Sequence, residues 1–210
     1  MADHTSRMTA LLGRLRREMN GAVVEAMERA GVKGMLNYGV SIPTIRAIAA
    51  EAGPDHAFAR FLWLQQVREL RMAALSIADP GSVTPDVLDF WLSGEPTLEL
   101  LDELALRLLS RCGDEVSQIL SDRWLTEGSS QACYAALMAL ARIRAGRPDE
   151  TAARAAGALL RFPDDRNIAR AAVAYGCSIA SEPGFAGWLR LLPDNEAGRF
   201  VRGELEFLLD

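Results

Sequence analysis

Histidine is almost missing from this chain: its 210 residues include only His4 and His56. The three cysteines, Cys112, Cys133 and Cys177, are odd in number, far apart and without a C-x-x-C pair. Together these shortages exclude a structural zinc, a metallohydrolase centre and a conventional Ser-His-Asp triad. The scattered thiols are expected to be small core residues in a reducing compartment. Glycine-rich phosphate loops are missing as well, with no G-x-G-x-x-G, P-loop or G-x-S-x-G motif. No cofactor and no metal are expected, so an enzyme built on this sequence has to work with side chains alone. No apolar run approaches the roughly 20 residues that cross a bilayer, which argues against a membrane partner. The opening MADHTSRMTALLGRL lacks the basic-then-apolar order and the cleavage site of a secretory signal, and the protein is expected in the cytoplasm.

An excess of positive charge is the last thing lacking. The formal net charge is −5, which opposes strong non-specific binding to nucleic acid, because that affinity comes from neutralising phosphates. The charge is unevenly spread. Residues 130–170 hold seven arginines against four acids, and residues 95–127 hold eight acids against three arginines. A modest basic surface beside an acidic one follows.

What the chain does have is apolar helix. Half of its residues are hydrophobic, enough for a sizeable core. Start and stop signals recur about every 15 residues, with no convincing alternation of strand type. Ser41 ahead of Pro43 marks one helix start and Asp55 the next. Thr84-Pro85, Glu95-Pro96, Asp114, Asp149 and Asp164 mark later ones, the second opening a long LELLDELALRLLSRC segment. Gly94, Gly113, Gly128 and Gly146 stand where a positive φ would close a helix. Phe200, Leu205 and Leu208 are expected on one apolar face of the last element. The fold class is all-α: about a dozen short helices in antiparallel pairs, most simply stacked as an α-solenoid, although the imperfect repeat period equally describes an irregular helical bundle. With no linker-like stretch, residues 1–210 read as a single domain.

The segment from Asn37 to Pro80, NYGVSIPTIRAIAAEAGPDHAFARFLWLQQVRELRMAALSIADP, is more specific than amphipathic helix. An aromatic turn leads to a Ser-x-Pro helix start, a helix with Trp63 near its end, the charged opening Arg68-Glu69-x-Arg71, and a close on Asp79-Pro80. This order resembles the DNA alkylation repair family, the AlkD-type alkylpurine DNA glycosylases built from HEAT-like repeats. Weaker similarity runs from about Leu12 to Ala180 and includes Trp91, Trp124, ALMALA and RNIARAAVAYG.

The resemblance implies a DNA groove in which an aromatic ring, a carboxylate one helical turn on, a second tryptophan and an arginine surround a positively charged alkylated purine. A carboxylate and electron-rich ring faces both stabilise the positive charge that develops on the sugar as the base departs. In this sequence the carboxylate falls on Asp102, but its aromatic partner is Leu98. The second tryptophan becomes Tyr175, and the arginine falls near Ala132. Losing a stacking wall and a phosphate clamp would each cost about 1–3 kcal/mol. The resemblance therefore implies a degenerate site, with Asp102 and Tyr175 as its catalytic remnants and Arg142, Arg144 and Arg147 as the nearest basic cluster for DNA.

Each of these residues also has a plain structural reading. Asp102 fits the solvent side of an acidic helix beside Glu99 and Glu103. Tyr175 fits a half-buried core tyrosine. The three arginines suit the negative pole of a helix end without any DNA. Arg14, Arg16 and Arg17 read as a solvated face, and Trp63, Trp91, Trp124 and Trp188 as core. Glu69 and Arg71 are expected to form a structural ion pair. Two functions stay open: excision of alkylated purines with activity reduced or lost, or a non-catalytic repeat module whose concave face binds double-stranded DNA structures or a protein partner.

Overall fold

The computed structural model describes residues 4–31, 34–143 and 150–209. Among these residues there are twelve α-helices and no strand, and the chain divides into two compact units. The first unit comprises residues 1–82 and 89–103, the second residues 83–88 and 104–210.

The first unit holds α1 (His4–Arg17), α2 (Gly21–Arg29), α3 (Ile42–Ala50), α4 (His56–Trp63), α5 (Arg68–Ile77) and α6 (Leu98–Glu103). Its starts obey the sequence. Ser41 Oγ accepts from the Thr44 amide at 3.2 Å, with Pro43 in the first turn of α3. Asp55 caps α4 by accepting from the Phe58 amide at 3.0 Å. Its second carboxylate oxygen accepts from Arg7 at 2.7 Å. These bonds hold the Asp55 carboxyl below the usual carboxylate range. The central element is α5, which packs on α3, α4 and α6 and buries every residue except Ser76. Trp63 and Trp91 meet edge to face beside it, with ring centroids 5.4 Å apart.

The second unit holds α7 (Asp114–Ile119), α8 (Ser130–Leu140), α9 (Thr151–Arg161), α10 (Arg166–Ile179), α11 (Phe185–Leu191) and α12 (Glu196–Leu205). Here α10 is central and packs on α8, α9 and α12. Small side chains allow this: Ala132, Ala135, Ala136 and Ala139 of α8 and Ala169, Ala171 and Ala172 of α10 are all buried. At Gly176 the approach is close. A methyl group there would overlap Leu205 Cδ1 and lie 2.7 Å from Trp188 Cζ3. Trp188 is buried with Tyr175 edge-on to it.

Several helix signals read differently in the folded chain. The segment LELLDELALRLLSRC is not one α-helix. After the six residues of α6 it widens into a π turn, Leu104–Leu108, and ends in a 3-10 turn, Leu109–Arg111. Leu104, Ala105, Leu108 and Leu109 are all buried across this stretch. The residue capping α7 is Gly113, with φ −72°, and Asp114 is already helical. Gly128 likewise has no positive φ, whereas Gly94 does, at 71°, and is followed by Glu95 at 48°. Asp165, not its neighbour Asp164, caps α10, because it is the residue left extended just before the first helical turn. Phe200 lies off the buried face of α12, which is formed by Ala197, Val201 and Leu205. Gly146 and Asp149 lie outside the described residues.

Candidate nucleic-acid interface

In the first unit the short helix α6 carries Leu98, Glu99, Asp102 and Glu103. Leu98 and Asp102 are one turn apart and share a face. The Leu98 side chain is 42% exposed, and Asp102 is half-buried. The other two carboxylates are drawn into the fold. Glu99 takes both arms of Arg68, at 2.7 and 2.5 Å, and Glu103 takes Arg46 at 2.5 Å. Asp102 therefore does not belong to a common solvated acidic face with them.

Arg68 and Glu69 anchor this arrangement. Glu69 is fully buried and pairs with Arg68 at 2.9 Å. It also accepts from the amides of Tyr38 at 3.2 Å and Val40 at 3.3 Å. Arg68 returns a bond to the Val40 carbonyl at 3.0 Å. Burial by itself would lower the pKa of Arg68, but its bonds to Glu99 and Glu69 outweigh that and hold it raised. The expected Glu69–Arg71 pair is not formed. Adjacent Arg68 takes Glu69, and Arg71 points instead to the carbonyls of Gln65 and Gly94, at 3.0 and 2.9 Å, with Trp63 5.3 Å below its guanidinium. Gly94 is required here, since any Cβ would overlap that guanidinium. A cleft of about 510 Å³ beside Leu98 is lined by Gly34, Met35, Gln66, Gly94, Glu95 and Thr97.

Tyr175 and Ala132 belong to the second unit. Tyr175 is 1% exposed, and its ring is 5.7 Å from Trp188. As placed it is more deeply buried than a half-exposed tyrosine and gives a base no open face. Ala132 is buried in the first turn of α8, where Ser129 Oγ accepts from its amide. Arg142, after α8, is exposed and donates to the Met138 carbonyl. Arg144 and Arg147 lie outside the described residues. Much of the positive charge nearby is already engaged. Arg154 pairs with Asp122 at 2.6 Å and with Glu150 at 2.5 Å. Arg161 donates to the carbonyls of Leu125 and Gly128.

Among the described residues no group of His, Cys, Asp and Glu is placed to hold a metal ion, and no helix is long and apolar enough to cross a membrane. The cysteines are free thiols that differ in setting: Cys133 is buried, Cys112 half-buried and Cys177 exposed. Cys177 thus corrects the expectation of three core thiols. Burial pushes the Cys133 thiol up to about 12, far from reactive.

A family model described as "DNA alkylation repair enzyme" matches residues 11–173. The chain belongs to the DNA alkylation repair family. Among solved structures it is similar to one titled "A new family of proteins related to the HEAT-like repeat DNA glycosylases with affinity for branched DNA structures". The TM-score is 0.72 at 15% identity, over 95% of this chain and 94% of that one. The fold is therefore the all-α, HEAT-like repeat fold. No curated protein matches.

Within this family member, one group of residues escaped the sequence reading. Arg166 and Arg170 of α10 and Phe200 of α12 line a cleft of about 270 Å³ in the second unit, with Asp164, Asp165 and Glu196. The arginines were visible one helical turn apart in RNIAR. Phe200 reads in sequence as part of the apolar face of α12, which conceals the cleft.

Proposed function

We propose that this chain is a DNA-binding member of the DNA alkylation repair family that engages branched DNA and does not excise bases. One observation carries the reading. At the position where the family's aromatic partner of the carboxylate is expected, an exposed Leu98 stands one turn before Asp102. An aliphatic side chain has no π face with which to stabilise a developing cation, so position 98 supplies no electron-rich ring beside the carboxylate. The burial of Tyr175 and the alanine at position 132 agree with that loss. Because such groups act together, a surviving carboxylate does not keep a proportional share of the rate. Affinity for branched DNA is the property named for the structural relative. Its transfer to this chain is supported by the shared fold over nearly the whole length. Arg142 has donors left over for a phosphate, since a guanidinium carries five N–H groups. The net charge of −5 makes binding modest and strongly dependent on salt.

A second reading rests on Asp102 alone, as an electrostatic stabiliser of residual excision. Base release from DNA carrying 7-methylguanine or 3-methyladenine separates the two. The proposal expects no release above background from either the wild type or Asp102→Asn. Release by the wild type that disappears in Asp102→Asn would overturn it.

A further inference from the structure

The cleft between α10 and α12 lies in the second unit, whereas Leu98 and Asp102 lie in the first. Its two walls are fixed to each other within the second unit. The Ala197 amide donates to the Pro163 carbonyl at 2.9 Å, and Asn195 Nδ2 donates to the Leu159 carbonyl at 2.7 Å. Asn195 Oδ1 accepts from the Gly198 amide at 2.8 Å and so caps α12. The cleft is thus preformed. At about 270 Å³ it lies near the low end of small-molecule sites, roughly 300–1,000 Å³, which suits one aromatic base.

Its lining is chemically unusual. Phe200 presents an apolar ring that is 41% exposed, although three small or apolar neighbours on α12 are buried. Arg166 and Arg170 are both exposed. Among the described residues neither makes a hydrogen bond or an ion pair, in contrast to Arg154, Arg161, Arg199 and Arg202 of the same unit. Asp164 and Glu196 likewise form no ion pair among the described residues, while Asp165 is committed to capping α10. Two arginines and two carboxylates therefore line the cleft with Phe200, with no ion pair among them. A ligand that satisfies all of them needs a flat face, anionic groups and hydrogen-bond donors on one edge.

We propose that this cleft holds a single unpaired nucleotide of a branched DNA. The base stacks on Phe200, Arg166 and Arg170 hold the flanking phosphates, and Asp164 and Glu196 accept from the base edge. This rests on the DNA-binding reading above. A paired base is stacked on both faces and out of reach of an aromatic side chain, whereas a branch point offers bases that can leave the stack. Ionised carboxylates only accept hydrogen bonds. They favour guanine, which presents N1–H and an amino group side by side, over thymine, which presents one N–H.

The test measures binding of the full chain to a forked duplex whose arms end in unpaired thymidines with one central guanosine, and to the same fork with thymidine alone. The expected result is tighter binding of the guanosine probe, an affinity about tenfold weaker for Phe200→Ala, and retention in Phe200→Trp. Arg166→Ala with Arg170→Ala weakens both probes and flattens the salt dependence. Asp164→Asn with Glu196→Gln abolishes the guanosine preference. Circular dichroism and thermal melting confirm that the variants fold. Wild-type binding to the forks, unchanged in the folded Phe200 and arginine variants, would overturn the cleft assignment and leave the DNA-binding reading intact. No wild-type binding to either fork would overturn both. Binding of free dGMP as tight as that of the fork would reassign the cleft to a free nucleotide and overturn the branched-DNA occupant.

Discussion

The two units solve the same packing problem with different chemistry. In the first, the central helix α5 is almost wholly buried and carries Arg68, Glu69 and Arg71 into the interior, where each must find named partners in loops and neighbouring helices. In the second, the central helix α10 is lined with alanine and glycine, and the helices meet by close approach of small side chains. Buried ions fix geometry because a misplaced partner leaves a charge uncompensated. Small-residue packing fixes it by excluding volume. The first unit should thus be brittle to loss of a polar group, and the second to added bulk.

The largest effect expected from this contrast is at Glu69. Glu69→Ala leaves Arg68 buried beside Glu99 alone and orphans the Tyr38 and Val40 amides. A loss of about 3–5 kcal/mol is expected in urea denaturation. The matching change in the second unit, Thr151→Val, breaks the buried Ser121–Thr151 hydroxyl contact of 3.0 Å and should cost about 1 kcal/mol. Equal losses would break the comparison. Next is Gly176→Ala, for which the overlap with Leu205 and the Trp188 ring should cost about 1–3 kcal/mol, read from the same melts. Smaller again are the caps. Ser41→Ala and Asp165→Ala should each cost about 1 kcal/mol, with no difference between units, because a cap is a local device.

The smallest effect is a pH dependence confined to the first unit. Burial holds the His56 imidazole below its ordinary pKa of 6.5, against a smaller opposing pull from Asp79. Below pH 6.5 the unfolded chain therefore takes up a proton that the folded chain refuses. Stability falls as pH drops from 7 toward 5, until the depressed folded value is passed. Denaturation midpoints at pH 7 and 5 should converge in His56→Phe relative to wild type. An unchanged difference would remove His56 as its source.

The same contrast explains what could be read from the sequence. The segment from Asn37 to Pro80 was legible because its charges are demanding: Arg68-Glu69 opening a helix makes sense only with partners waiting. The partners themselves were not legible. Arg71 and Glu69 look like a pair in sequence, yet Glu69 turns to the Tyr38 and Val40 amides and Arg71 to Gly94. In the second unit the sequence of α12, EAGRFVRGEL, has few apolar residues to mark an inward face, so Phe200 reads as core although Ala197, Val201 and Leu205 form the buried side. Periodicity also assumes a constant helical pitch. The π turns Leu104–Leu108 and Leu120–Trp124 break it without any proline to announce the change. At the candidate site, the aliphatic Leu98 one turn before Asp102 was legible in the sequence, while the burial of Tyr175 depends on Trp188, 13 residues further along.

The central claim, that this family member binds branched DNA without excising bases, is tested most directly by fluorescence anisotropy at low salt. A four-way junction is compared with a linear duplex of equal length and composition. The account predicts tighter binding of the junction, with an affinity that falls as salt rises. Equal affinity for the two DNAs would contradict it.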